Sequence, residues 1–190
     1  MPIVLYLGRN VKEYKQNSKE IIEGLLKANA LQCEKCLQGM KRHSSYTRGI
    51  KETGEKLTIE IIRCKQCKNG HALLPDFLLP GKHYSGNEIE SVLIDSATVP
   101  VDEIETEASE STVRRWIKEV GERVRGACGI IKYLFKCAGK AISELRITSG
   151  GPYSELEQIL EMAPKAIKSS GNKLGLANIW IGTNEVRSYI

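Results

Sequence analysis

No apolar run in this sequence approaches the ~20 residues that a membrane-spanning helix requires. The N-terminal Ile3-Val4-Leu5-Tyr6-Leu7 is too short for the core of a secretion signal, and it lacks a basic start and a small-residue cleavage site. Internal repeats, low-complexity tracts and glycine-rich phosphate loops are also missing. These absences argue against membrane embedding, export and repeat architecture, and they lead to the expectation of a cytoplasmic protein. In that compartment cysteines stay reduced, so a disulfide framework is not expected.

The chain has 190 residues, room for one domain or two small ones. A chain of this size buries about 70% of its unfolded surface, enough for a real core. The formal charge is +5, and its distribution is more informative than its size. From Cys33 to Lys82 there are ten Lys/Arg against five Asp/Glu. From His83 to Gly126 there are five against ten, but the five cluster as Arg114, Arg115, Lys118, Arg123 and Arg125. A basic ribbon followed by a basic helix face points to a polyanion partner.

The strongest chemical signal is a pair of C-x-x-C motifs, Cys33-Glu34-Lys35-Cys36 and Cys64-Lys65-Gln66-Cys67. Two residues between thiolates let one tight turn present both sulfurs to one ion. Two such turns supply four soft ligands in the tetrahedral set that structural Zn²⁺ prefers. The spacing between the pairs is longer than the roughly 15–20 residues of the usual pattern. A longer hairpin absorbs the excess, because loop-closure entropy grows only logarithmically. A redox C-x-x-C would need a neighbouring βαβ pattern and would not come in pairs. Cys33, Cys36, Cys64 and Cys67 are therefore the expected zinc ligands. With four thiols present, His43 and His71 are weaker alternatives. His43, beside Lys41 and Arg42, reads better as a surface contact.

Pattern places four regions along the chain. Residues 1–32 hold a short strand (Ile3–Leu7), a turn at Gly8-Arg9-Asn10 and an amphipathic helix with Ser18 as N-cap and Ile21, Ile22, Leu25 and Leu26 as its stripe. Residues 33–82 form a small antiparallel sheet clipped by metal, with strands at Met40–Arg48, Leu57–Arg63 and His71–Leu74. Residues 83–126 read as helical: Ser85-Gly86-Asn87-Glu88 fits a capping box, a second short helix starts near Pro100, and a third from about Ser111 carries Val113, Trp116, Ile117, Val120 and Val124 inward. Residues 127–190 are a helical C-terminal region, with Cys128 and Cys137 as small core residues, a break at Gly150-Gly151-Pro152, a helix over 154–167 disturbed near Pro164, and a terminal segment from Leu174 that docks back. The expected fold class is α+β: the zinc-ribbon sheet, then a helix-turn-helix, then C-terminal helices.

A helix with a hydroxyl-rich start and outward arginines suits the major groove. Ser111, Thr112, Arg114, Arg115 and Lys118 are the candidate contacts there, and Lys41, Arg42 and His43 those of the ribbon. The cysteine pairs, Lys41–Arg48, the Leu73-Leu74-Pro75-x-Phe77-Leu78-Leu79-Pro80 segment, Tyr84-Ser85, Ser111–Trp116 and the ending Leu174–Trp180 together resemble a transposase-like family of bacterial mobile elements. Its members carry a zinc ribbon followed by a helix-turn-helix. The resemblance implies double-stranded DNA as partner, a place at the nucleoid, the four cysteines as metal ligands and a recognition helix opening at Ser111–Lys118. One departure is that Glu107 stands in the turn region where the common pattern has glycine.

Two other functions compete with DNA binding. A catalytic transposase or nuclease needs carboxylates converging from a stable sheet, whereas the acidic residues here gather on the middle helices. A zinc-ribbon interaction module would use the ribbon for assembly, and the helical C-terminal part is the candidate for forming a homodimer.

Overall fold

The computed structural model describes residues 2–33, 35–137, 151–161 and 170–185. The expectations placed on the side chains of Cys137 and Trp180, and on Gly150 and Pro164, lie outside the described part. The fold is α+β. Strands β1 (Ile3–Leu5), β2 (Met40–Gly49), β3 (Lys56–Cys64) and β4 (Gly70–Pro75) make one sheet in the order β1-β4-β3-β2. The described helices are α1 (Val11–Lys27), α2 (Gly86–Asp95), α3 (Glu110–Cys137), α4 (Gly151–Glu161) and α5 (Lys173–Glu185). None of them is long and apolar enough to cross a membrane.

The sheet is mixed rather than antiparallel. β2 and β3 form the expected hairpin, and β4 pairs antiparallel with β3, but β1 runs parallel to β4 with Ile3 opposite Leu73. The reason lies in β4: Leu73 and Leu74, consecutive and so on opposite faces, are both buried. A strand covered on both sides sits inside a sheet, and the short apolar β1 fills the edge it would otherwise leave open. The N-terminal strand β1 thus belongs to the same sheet as β2, β3 and β4.

Helix α1 starts seven residues before the expected cap at Ser18. Asn10 is its N-cap, its side-chain oxygen accepting from the Glu13 amide at 3.0 Å, while the Glu13 carboxylate accepts from the Arg9 amide at 3.0 Å. Ser18 lies buried within the helix, in line with Tyr14 and Ile22. The Tyr14 hydroxyl donates to the Thr58 carbonyl at 2.7 Å and ties α1 to β3.

Two apolar clusters result. One gathers the sheet and α1 around Leu7, Tyr14, Ile22, Ile59, Ile62 and Leu73. The other gathers α2 to α5 around Ile89, Trp116, Val120, Ile131, Leu156 and Leu174. The Pro75–Ser85 segment joins them, with Phe77 and Leu78 in the first and Leu79 and Tyr84 in the second. The far end of the β2–β3 hairpin grips this segment. Buried Arg48 donates to the carbonyls of Leu79 (2.8 Å) and Lys82, the Lys51 amide donates to the His83 carbonyl (2.9 Å), and Glu52 accepts from the Ser85 amide (2.7 Å).

Helix α2 has the expected cap, Ser85 accepting from the Glu88 amide at 3.2 Å. Glu88 does not reciprocate; it accepts from Thr106, and Glu52 serves the Ser85 amide instead. The helix expected from Pro100 is a single 3₁₀ turn, Val101–Glu103, so the helix before α3 is α2 and fourteen residues of mostly irregular chain intervene. Helix α3 is one continuous rod of 28 residues that passes through position 126 without a break. Its buried stripe is Val113, Trp116, Val120, Val124, Cys128 and Ile131. Helix α5 docks back as expected: Asn172 accepts from the Gly175 amide at 2.6 Å, and Glu90 of α2 accepts from the Lys173 amide at 2.8 Å.

Candidate metal centre and basic strand

The two knuckles are built alike. In each, the first cysteine's amide donates to the carbonyl five residues on: Cys33 to Gln38 and Cys64 to Asn69, both at 2.9 Å. In each, the residue four positions after that cysteine has a left-handed backbone, Leu37 at φ 54° and Lys68 at φ 63°. That conformation disfavours a side chain, and the repetition at equivalent positions marks one turn type used twice. The second turn closes on Lys68, just before Asn69, and Gly70 already opens β4; nothing about Leu37 announces the first of these turns. The hairpin register brings the knuckles together: Met40 pairs with Cys64, so the turn before β2 lies beside the turn after β3. The Lys65 amide donates to the Gly39 carbonyl at 3.2 Å and links them directly.

The four sulfurs converge. Cys33 Sγ lies 3.4 Å from Cys67 Sγ and Cys36 Sγ 3.3 Å from Cys64 Sγ. All four lie within 4.8 Å of one another. These separations are far beyond the ~2.05 Å of a disulfide. A tetrahedral Zn–S bond of ~2.3 Å implies sulfurs about 3.8 Å apart; the two closest pairs lie a few tenths of an ångström inside that spacing, so a bound ion would spread them slightly. Cys33 and Cys64 are fully buried, Cys36 is half-buried and Cys67 is exposed. Among the described residues this group of potential metal ligands consists of the four cysteines alone. His71 is buried on β4 opposite Ile62, and His43 is the extra residue at a bulge in β2, exposed to solvent.

The thiols are not equivalent. Burial pushes the Cys64 thiol up, but the Cys67 amide, the Cys36 thiol and the Gln66 amide together outweigh it and hold its pKa at about 6. Gln66 N–H points at Cys64 Sγ from 3.4 Å. Cys36, the partner that gives its proton to Cys64, is pushed up to about 11, with burial adding to that effect. Amide donors aimed at sulfur favour the thiolate, the form in which cysteine ligates metal.

Around this centre lie cations. β2 is an edge strand, and every side chain from Lys41 to Thr47 is exposed. Lys41 sits directly across from Arg63, and Lys35, Lys65 and Lys68 are exposed beside the thiols. Composition alone did not single out Arg63, Lys65 and Lys68; their positions in and next to the second C-x-x-C were the available signal. Arg42 donates to the Lys19 carbonyl of α1 at 2.9 Å.

The residues expected to start a recognition helix lie at the other end of the hairpin. Ser111, Arg114, Arg115 and Lys118 are exposed on the first turns of α3, and Thr112 is half-buried. Arg114 is engaged by Glu110 at 2.5 and 2.9 Å, whereas Arg115 and Lys118 make no ion pair among the described residues. The Ser109 hydroxyl lies 3.1 Å from Ser111 and 3.0 Å from Thr112. Trp116 packs edge-on to Tyr84 with ring centroids 4.8 Å apart, and Lys51 of the hairpin tip lies over the same tyrosine. The four-cysteine cluster thus lies at the open end of the hairpin, and α3 meets the hairpin at its tip.

These features define an α+β protein with a four-cysteine candidate metal centre at one end of a basic hairpin. Residues 33–116 match a family described as a domain of unknown function (DUF6431). The matched stretch begins at Cys33 and ends at Trp116, so it takes in both knuckles, the hairpin, α2 and the opening turns of α3. It carries no transposase or helix-turn-helix description. No curated protein and no solved structure matches the chain.

Proposed function

We propose that this is a zinc-stabilised protein that binds double-stranded DNA. The observation that carries the reading is the convergence of four sulfurs at the base of an exposed, basic strand, Lys41 to Thr47. Zinc suits an all-thiolate tetrahedral site, and a metal closing the open end of a hairpin holds that strand in a fixed position. The strand and the outward cations of α3 supply positive charge for phosphates. Arg115, which has no carboxylate partner among the described residues, is the better candidate for a base contact, while Arg114 must first leave Glu110. The transposase-like resemblance supports the same reading, with α3 as the DNA-facing helix even though a 3₁₀ turn replaces the helix expected just before it.

The test is a mobility-shift titration of the zinc-loaded protein against random-sequence duplex DNA, at several salt concentrations. Binding that weakens linearly in log–log form with salt is expected, because neutralised phosphates release counterions. Arg115→Ala is expected to cost about 1–3 kcal/mol if the guanidinium meets a base. No binding at low salt would refute the proposal.

A further inference from the structure

We infer that the metal end of the hairpin is a second contact for the phosphate backbone, so that the protein grips a duplex at two points about one helical turn apart. The inference rests on the DNA-binding reading and adds the geometry of the grip.

Consider the charge first. The two segments that make the metal end, 33–43 and 60–70, hold six Lys/Arg (Lys35, Lys41, Arg42, Arg63, Lys65, Lys68) against two carboxylates, Glu34 and Glu60. Four thiolates around one Zn²⁺ carry a net charge of −2. The cations exceed the carboxylates by four, so balancing the metal site leaves a surplus of two. Among the described residues none of the six is paired with a carboxylate. Arg63, Lys68 and Arg42 donate to backbone carbonyls instead. Lys41 and Arg63 also stand directly opposite each other across the hairpin. Like charges in that position destabilise a sheet, and an anion placed between them would relieve the repulsion.

Next consider the edge. A free edge strand invites pairing with another strand, and lysines along it discourage this. Lys41 and Arg42 on β2 discourage such pairing, which argues against a second strand as occupant. The complementary partner is a polyanion.

Finally consider the spacing. From Lys56 to Cys64, β3 spans nine residues. At ~3.3 Å per residue, and with the turns at each end added, the hairpin separates its two ends by about 30 Å. Its tip abuts α3 through Lys51, Tyr84 and Trp116. A turn of duplex DNA measures ~34 Å. The α3 end and the metal end can therefore meet phosphates about nine or ten base pairs apart, with the exposed strand between them.

The test compares the zinc-loaded full chain with a Lys35→Gln/Lys41→Gln/Lys65→Gln variant on duplexes of 24 and 8 base pairs. All three lysines are exposed, and equal zinc content and equal circular dichroism show that the variant is folded. The wild type is expected to bind the longer duplex more than tenfold tighter than the shorter, beyond the gain from extra binding positions. The variant is expected to lose that preference, with its log–log salt slope on the long duplex falling by about 2–3. Wild-type binding with no length preference, or a variant with unchanged affinity and slope on the long duplex, overturns this inference and leaves DNA binding standing. Absence of wild-type binding to both duplexes overturns the DNA reading, and this inference with it.

Discussion

Met40, the first residue of β2, lies directly opposite Cys64, the last residue of β3. This pairing converts a separation of 27 residues between the two C-x-x-C motifs into a contact. It makes hairpin register and metal geometry one property: a slip of one residue would turn every β2 side chain to the other face and draw the knuckles out of line.

Metal uptake should be strongly pH-dependent. The metal-free cluster holds protons, with Cys36 pushed up to about 11 by Cys64 and by burial, and Cys67 raised as well. Cys64, by contrast, is held low, at about 6. Ligation needs thiolates, so binding zinc near pH 7 must release the protons that Cys36 and Cys67 carry. Affinity is expected to rise with pH across the neutral range and to fall steeply below pH 6, where Cys64 also takes up a proton. Competition titration with a chromophoric chelator at several pH values measures this. A flat profile would contradict the thiol assignment.

Arg48 joins the β2–β3 hairpin to the segment that leads into the helical half. Its buried guanidinium serves the carbonyls of Leu79 and Lys82. Arg48→Ala removes this donor from the Lys82 carbonyl and leaves the Leu79 carbonyl with the Lys82 amide alone, and it is expected to cost about 2–4 kcal/mol in urea unfolding. Arg48→Lys is expected to recover only part, since an ammonium lacks the planar fork. Trp116 fluorescence follows the helical half directly, and an unchanged midpoint in Arg48→Ala would count against the joint.

Asp76 is a buried carboxyl whose pKa is raised above the ordinary carboxylate range by burial. Its Oδ2 accepts from the Ser170 amide at 2.6 Å, while among the described residues its Oδ1 and the Ser170 hydroxyl have no hydrogen-bond partner. The native state therefore holds the Asp76 proton at pH values where the unfolded chain has lost it. Its contribution to stability is greatest below the unfolded pKa and declines as pH rises through the folded one. Asp76→Asn removes the buried charge, keeps the acceptor and adds a donor for Ser170. It is expected to raise stability at pH 7 by about 1 kcal/mol and to flatten the profile just above pH 4. Lower stability at pH 7 in this variant would show that the charge itself is needed.

What could be read from the sequence was local in origin. The knuckles, β3 and the Ser85 cap each follow from a few adjacent residues, and they stand where expected. The four-cysteine cluster is legible for the same reason. The parallel pairing of β1 with β4 was not, because it joins residues 70 positions apart. The start of α1 was misplaced because Asn10 and Ser18 are both capping residues and the polar stretch between them hides the stripe. The region boundary at Gly126 falls inside α3: Gly121, Gly126 and Gly129 all sit where an added Cβ would meet nothing, so they weaken the helix without breaking it. Which strand would be the open edge, and hence that Lys41 and Arg63 face each other, emerges only from the pairing.

The most direct measurement is metal content with reversible chelation. The purified chain, analysed by native mass spectrometry, is expected to carry one zinc ion per molecule, and removing it with a strong chelator should unfold the knuckles and the adjoining half of the hairpin. The cost is expected to be a substantial part of the ~10–16 kcal/mol typical of structural zinc binding. Hydrogen exchange would locate the loss at 33–44 and 60–70, with α2 and α3 still protected. A metal-free chain with those same segments equally protected would contradict the picture of four sulfurs holding the basic strand in place.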